Sequence, residues 1–132
     1  MTDVTYGYTK NLGKADFDDA TERVTAALKT EGFGVLTEID VKSTFKKKLD
    51  VDFRKYKILG ACNPTLAHHA LSNEPHIGLL LPCNVVVFEE DDGTTTVSAV
   101  NPMEMFKVVD NPGMTSIADQ VNVKIRKVVD SL

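Results

Sequence analysis

The sequence predicts an α+β fold: a mostly antiparallel five-stranded sheet with two long helices packed on one face, plus short helices. Three observations carry this. One segment near each end of the chain bears apolar residues at helical spacing. Between them lie several β-rich runs, two of which meet at Asp92-Gly93, a hairpin signal. Strands joined by a hairpin, with long helices segregated from them, belong to α+β rather than alternating architectures. The competing arrangement is a small α/β domain in which a helix over 64–72 makes a parallel crossover.

The elements follow in order. Val4, Tyr6 and Tyr8 alternate with Thr5, Gly7 and Thr9, the period of a half-buried strand. Over 15–31 the period lengthens: Phe17, Ala20, Val24, Ala27 and Leu28 form a stripe, with Asp18, Asp19, Glu22 and Lys29 on other faces. Asp16, Asp18 and Asp19 suit the positive end of that helix, and Gly32 offers a left-handed stop. A second strand runs over 33–39. Asp40 then caps a short helix with the stripe Val41, Phe45 and Leu49.

In a third strand over 54–62, Tyr56, Ile58, Gly60 and Cys62 project to one side, Leu59 and Ala61 to the other. A short helix over 64–72 follows, then a fourth strand over 83–90, with Pro82 tolerated at its entrance. The fifth strand covers 94–100. The closing helix has the stripe Ile117, Val121, Ile125, Val128 and Leu132. Asn63-Pro64, Asn101-Pro102 and Asn111-Pro112 all read as helix or turn starters, because Asn caps and Pro suits the first helical position.

Composition narrows the function classes. The 132 residues and 14.5 kDa suit one domain over 1–132, with no repeat or linker. Surface scaling expects a folded area of ~6,900 Å², enough burial for a core without disulfides or a structural metal. Nineteen acidic against fifteen basic residues give a net charge of −4, which supplies no field for nucleic acid or membrane. The run Ile77-Gly78-Leu79-Leu80-Leu81 is far short of a spanning helix. Met1-Thr2-Asp3-Val4-Thr5-Tyr6 lacks the basic-then-apolar layout of a signal peptide. With only two cysteines, the expectation is a cytoplasmic chain with two free thiols.

The most specific stretch is Gly60-Ala61-Cys62-Asn63-Pro64, followed by Ala67 and Leu71, and later Leu81-Pro82-Cys83. With both cysteine motifs in this order and spacing, the chain resembles the domain-of-unknown-function family 302 over essentially its whole length. That resemblance implies an α+β fold akin to TATA-box-binding protein and a small cytoplasmic protein that forms homodimers. It brings no activity, and kinship of fold is no ground for DNA binding.

Each cysteine has a functional and a bland reading. Cys62 precedes the cap Asn63, so its sulfur can lie near the positive end of a helix, favouring thiolate chemistry or an anion. It can equally pair with Ala67 in a hydrophobic staple. Cys83 shares a strand face with Val85 and Val87, as a small core residue would. If the two strands are antiparallel neighbours, both sulfurs sit at one end of the sheet; if parallel, roughly 23 Å separates them. The antiparallel case is expected.

Other candidates have plainer explanations. His68 and His69 are adjacent on a helix and diverge, and His76 lies in a loop, so no metal site is expected. Lys42, Lys46, Lys47, Lys48, Arg54, Lys55 and Lys57 could form an anion patch, but Asp50 and Asp52 interrupt the run and a solvated face explains it. Glu89-Glu90-Asp91-Asp92 reads as a hairpin tip. No nucleophile elbow, phosphate loop or dinucleotide fingerprint occurs, and no cofactor is expected. The resulting expectation is a binding module for a small molecule or protein partner, without catalysis of its own. Its site is the turn at Cys62, Asn63 and Pro64, with Cys83 nearby. The alternative is a thiol redox or sulfur-transfer protein using Cys62 and Cys83, and a third reading is an interaction module whose cysteines are only core.

Overall fold

The structure, a computed structural model, describes residues 4–132. Met1-Thr2-Asp3, half of the segment on which the signal-peptide reading rests, lies outside the described residues.

Helix starts fall where the capping residues predict. Asp16 accepts a hydrogen bond from the Asp19 N–H at 3.1 Å and opens α1 (Phe17–Thr30). Asp40 does the same for Ser43 at 3.0 Å, opening α2 (Val41–Leu49). All three Asn-Pro pairs start helical turns. Asn63 caps Leu66 in α3 (Pro64–Asn73), Asn101 caps Met103 in α4 (Pro102–Met105), and Asn111 caps Gly113 in a 3₁₀ turn ahead of α5 (Thr115–Asp130). α1 ends in a Schellman motif: Gly32 at φ 83° donates to Lys29, and Phe33 donates to Leu28.

Five strands form one antiparallel sheet in the spatial order β1-β5-β4-β3-β2: β1 (Gly7–Asn11), β2 (Gly34–Asp40), β3 (Tyr56–Cys62), β4 (Cys83–Glu89) and β5 (Thr95–Val100). The parallel-crossover alternative does not occur. The first strand starts later than the alternation from Val4 suggests. Its ladder opens at Gly7↔Val100, and just beyond, Asn101 donates to the carbonyls of Tyr6 and Thr5 before the chain turns into α4. The β4–β5 hairpin closes over Asp91-Asp92-Gly93, with Gly93 at φ 82°.

One sheet face carries Leu59, Ala61, Val85, Val87, Val97 and Ala99, all buried beneath α1 and α5. From those helices Val24, Leu28 and Ile125 are fully covered. At β1 the Tyr8 hydroxyl reaches Asn122 of α5. The opposite face presents Ile39, Ile58, Val86, Ser98 and Thr9 in a row across all five strands. α2 flanks this open side and has no buried residue. No helix among the described residues is long and apolar enough to cross a membrane.

Candidate functional site

β3 and β4 are antiparallel neighbours with Ala61 opposite Cys83, so the two cysteines come to the same end of the sheet. They are offset by one residue. Cys83 faces Ala61, whereas Cys62 faces Gly34 of β2. Successive residues on a strand alternate faces, so the Cα–Cβ bonds of Cys62 and Cys83 diverge although their backbones are adjacent. Cys83 is buried and Cys62 half-buried, and both are free thiols.

Gly60 is a packing requirement at this end of the strand. A Cβ there would stand 2.1 Å from Thr37 Oγ1 and 2.8 Å from Pro82 Cγ, so both side chains use the space glycine leaves. The register of β2 slips between Val35 and Thr37, and Leu36 is the extra residue. That bulge turns Leu36 to the rim, where it is 69% exposed.

Asn63 ties two helix ends together. Its Oδ1 accepts from the Leu66 N–H at 3.3 Å, while its Nδ2 donates to the Glu31 carbonyl, also at 3.3 Å, at the end of α1. These bonds reduce what the turn can offer the expected anion. Pro64 has no N–H, Leu66 is capped by the Asn63 side chain, and Ala67 bonds the Asn63 carbonyl at 2.8 Å. Of the four N–H positions a helix start leaves open, Pro64 has none and Leu66 is capped, so those of Asn63 and Thr65 remain.

Beside this turn opens a cavity of about 300 Å³. Its sheet-side wall is Ala61, Cys83 and Pro82; α3 contributes Leu66, Ala67, Ala70 and Leu71. Ile117 and Val121 of α5 and Phe106 close the back, and Phe33, Leu36 and Thr37 form the side toward β2. Cys62 and Asn63 stand at its border. The four residues expected at the site thus lie together, and three of them (Cys62, Asn63 and Cys83) border the cavity; Pro64 starts the helix that walls it. Sequence reasoning missed most of the walls. Ile117 and Val121 belong to a stripe that reads as ordinary core, and nothing in such a stripe marks a void. Leu36 did leave a signal: the doublet Val35-Leu36 breaks strict alternation, as a bulge does.

The chemistry of the lining is correspondingly narrow. Burial pushes the Cys83 thiol up to about 11, with nearby Cys62 adding to the shift. It is therefore a neutral thiol at ordinary pH. Among the described residues, no histidine, carboxylate or amine lines the cavity. His68 and His69 are exposed, as the helical spacing predicts, and no group of three metal-binding side chains occurs among the described residues.

The family described as "Domain of unknown function DUF302" matches residues 8–132 of the chain. Among solved structures, the chain is similar to the uncharacterized conserved protein DUF302 from Bacillus stearothermophilus. Identity is 30%, coverage is 96% of this chain and 98% of that one, and the TM-score is 0.87. No curated protein matches the sequence significantly.

Proposed function

The chain belongs to the DUF302 family, and on that premise we propose that it is a cytoplasmic binding module whose site is the cavity beside Cys62-Asn63-Pro64. Its ligand is a small apolar molecule or the apolar tail of a larger one. The observation that carries this reading is the cavity itself: about 300 Å³, open at a rim with Leu36 and Leu71 exposed, and lined almost wholly by hydrocarbon. Ligand pockets are concave and mostly apolar, with a few polar groups to orient the guest. Here Cys62, Thr37 and the border at Asn63 supply those groups. The volume suits about ten non-hydrogen atoms, at a water-like share of ~30 Å³ each. The lining offers hydrocarbon with a thiol, a hydroxyl and an amide at its border, and binding is the role proposed.

The thiol redox reading is favoured by both cysteines bordering one cavity. Against it stands their one-residue offset, since a disulfide needs Cβ atoms that point toward each other. Binding is therefore preferred. A thermal-unfolding series with straight-chain alkanols from butanol to decanol tests it. Tm should rise with chain length and then level off once the cavity is filled. Ala67→Phe, which extends a ring into the space, should abolish the rise while leaving the unliganded protein folded. A flat response across the series, or one unchanged in Ala67→Phe, would reject the site.

A further inference from the structure

We propose that the sheet face opposite α1 and α5 carries a second binding site, a trough for a small alkylated ammonium ion of the choline type, seated against Tyr6, Phe88 and the Glu90 carboxylate. It lies across the sheet from the cavity beside Cys62 and rests on separate observations.

Strand register makes the walls. Tyr56 of β3 pairs with Phe88 of β4, and Phe88 with Thr96 of β5, so the three project side by side on this face. The rings of Tyr56 and Phe88 stack at 5.3 Å, with 10° between their planes. Because β4 runs between β3 and β5, the face of Phe88 that Tyr56 does not cover turns toward β5. There Thr96 and Ser98 are small, and they help to line a trough of about 310 Å³. Tyr6, 67% exposed, comes in from the chain ahead of β1 to line it as well. It stands near enough to Tyr56 that the two phenols disfavour ionising together.

Charge selects a cation. Glu90 borders the trough, and among the described residues no lysine, arginine or histidine does. A relay holds its carboxylate in place: Asn11 Nδ2 donates to Thr96 Oγ1 at 3.2 Å, and Thr96 Oγ1 donates to Glu90 Oε2 at 2.7 Å. No ion pair engages Glu90 among the described residues. Arg54, just ahead of β3, is taken by Asp91 at 2.8 Å and by the Glu89 carbonyl at 3.1 Å. A neutral apolar guest would desolvate the Glu90 carboxylate without pairing it, whereas a cation offsets that cost.

The aromatic walls choose among cations. A metal ion wants several oxygen, nitrogen or sulfur ligands, and no group of three metal-binding side chains occurs among the described residues. An alkylated ammonium is weakly hydrated and settles its charge on ring faces. At ~30 Å³ per non-hydrogen atom the trough holds about ten, room for a trimethylammonium head and a short polar arm.

NMR titration of the full chain with choline chloride, against sodium chloride at the same ionic strength, is the test. Saturable shifts should centre on Val86, Thr96 and Ser98 and spare the cavity methyls of Ala67 and Ile117, so the trough and the cavity are judged separately. The uncharged alcohol with a tert-butyl group in place of trimethylammonium should bind the trough at least ~10-fold more weakly. In Glu90→Gln, which can still accept from Thr96, affinity for choline should fall ~10-fold. Tyr6→Leu, which keeps apolar bulk at an exposed position, should lower it ~5-fold. Phosphatidylcholine vesicles distinguish two sources of this group. Sedimentation of the chain with them, lost in Glu90→Gln, assigns a lipid headgroup; choline binding without it assigns a free cation, and both uphold the trough. No saturable shift at Val86, Thr96 and Ser98, an uncharged alcohol that binds there as tightly as choline, or affinity unchanged in both variants would each overturn the proposal.

Discussion

Asn63 and Cys83 illustrate what a single residue reveals before its surroundings are known. The capping role of Asn63 was legible, because Asn followed by Pro is a helix start on chemical grounds. Its second bond, to the carbonyl of Glu31, was not, since Glu31 is 32 residues away and approaches only through the sheet. Cys83 was legible as a core residue from its place on the Val85–Val87 face, and burial adds a pH dependence. Unfolded, its thiol ionises near 9.0; folded, it does so near about 11. Between those values the unfolded chain holds fewer protons than the folded one, so stability falls as pH rises through that window. The loss should be on the order of 2–3 kcal/mol and should disappear in Cys83→Ala, measured by urea unfolding at pH 8, 9, 10 and 11. Tyr56, whose pKa is raised by burial and by Tyr6, contributes to both proteins alike and leaves the difference intact.

Whole elements were legible where periodicity and caps agreed. The two long helices, the hairpin and the antiparallel relation of β3 to β4 follow from stripe spacing, Asp92-Gly93 and segregation of the helices. Strand ends were less so, because pairing partners rather than propensity decide where a ladder stops; β1 opens at Gly7 since β5 has Val100, not a longer strand, to offer it. The β2 bulge was legible only as the doublet Val35-Leu36, and its consequence needed the neighbouring strand. Thr37 and Pro82 close over Gly60, so Gly60→Ala should cost about 1–3 kcal/mol through overpacking. Thr37→Ala in the same chain removes the nearer clash and should restore part of that loss. The double mutant would then be less destabilised than the sum of the singles, as a urea-denaturation cycle would show.

At the scale of the molecule, α+β architecture places two different surfaces on one sheet. The helix-covered face ends in the cavity between α3, α5 and the Cys62–Cys83 rim. The opposite face is flanked only in part, by α2 and the segment at Val4 and Tyr6. Neither surface could be read from residue spacing, because a void and an uncovered face are properties of how layers fail to meet. The net charge of −4 gave no reason to expect a polyanion, and the hydrocarbon lining of the cavity points the proposed ligand toward apolar chemistry. Methyl-resolved NMR during a titration with 1-octanol addresses the central claim at the site itself. The account predicts saturable shifts of Ala61, Ala67, Ala70, Ile117 and Val121 methyls, with those of Val97 and Val123 unmoved. Shifts scattered over the surface, or none at the cavity walls at saturating octanol, would contradict it.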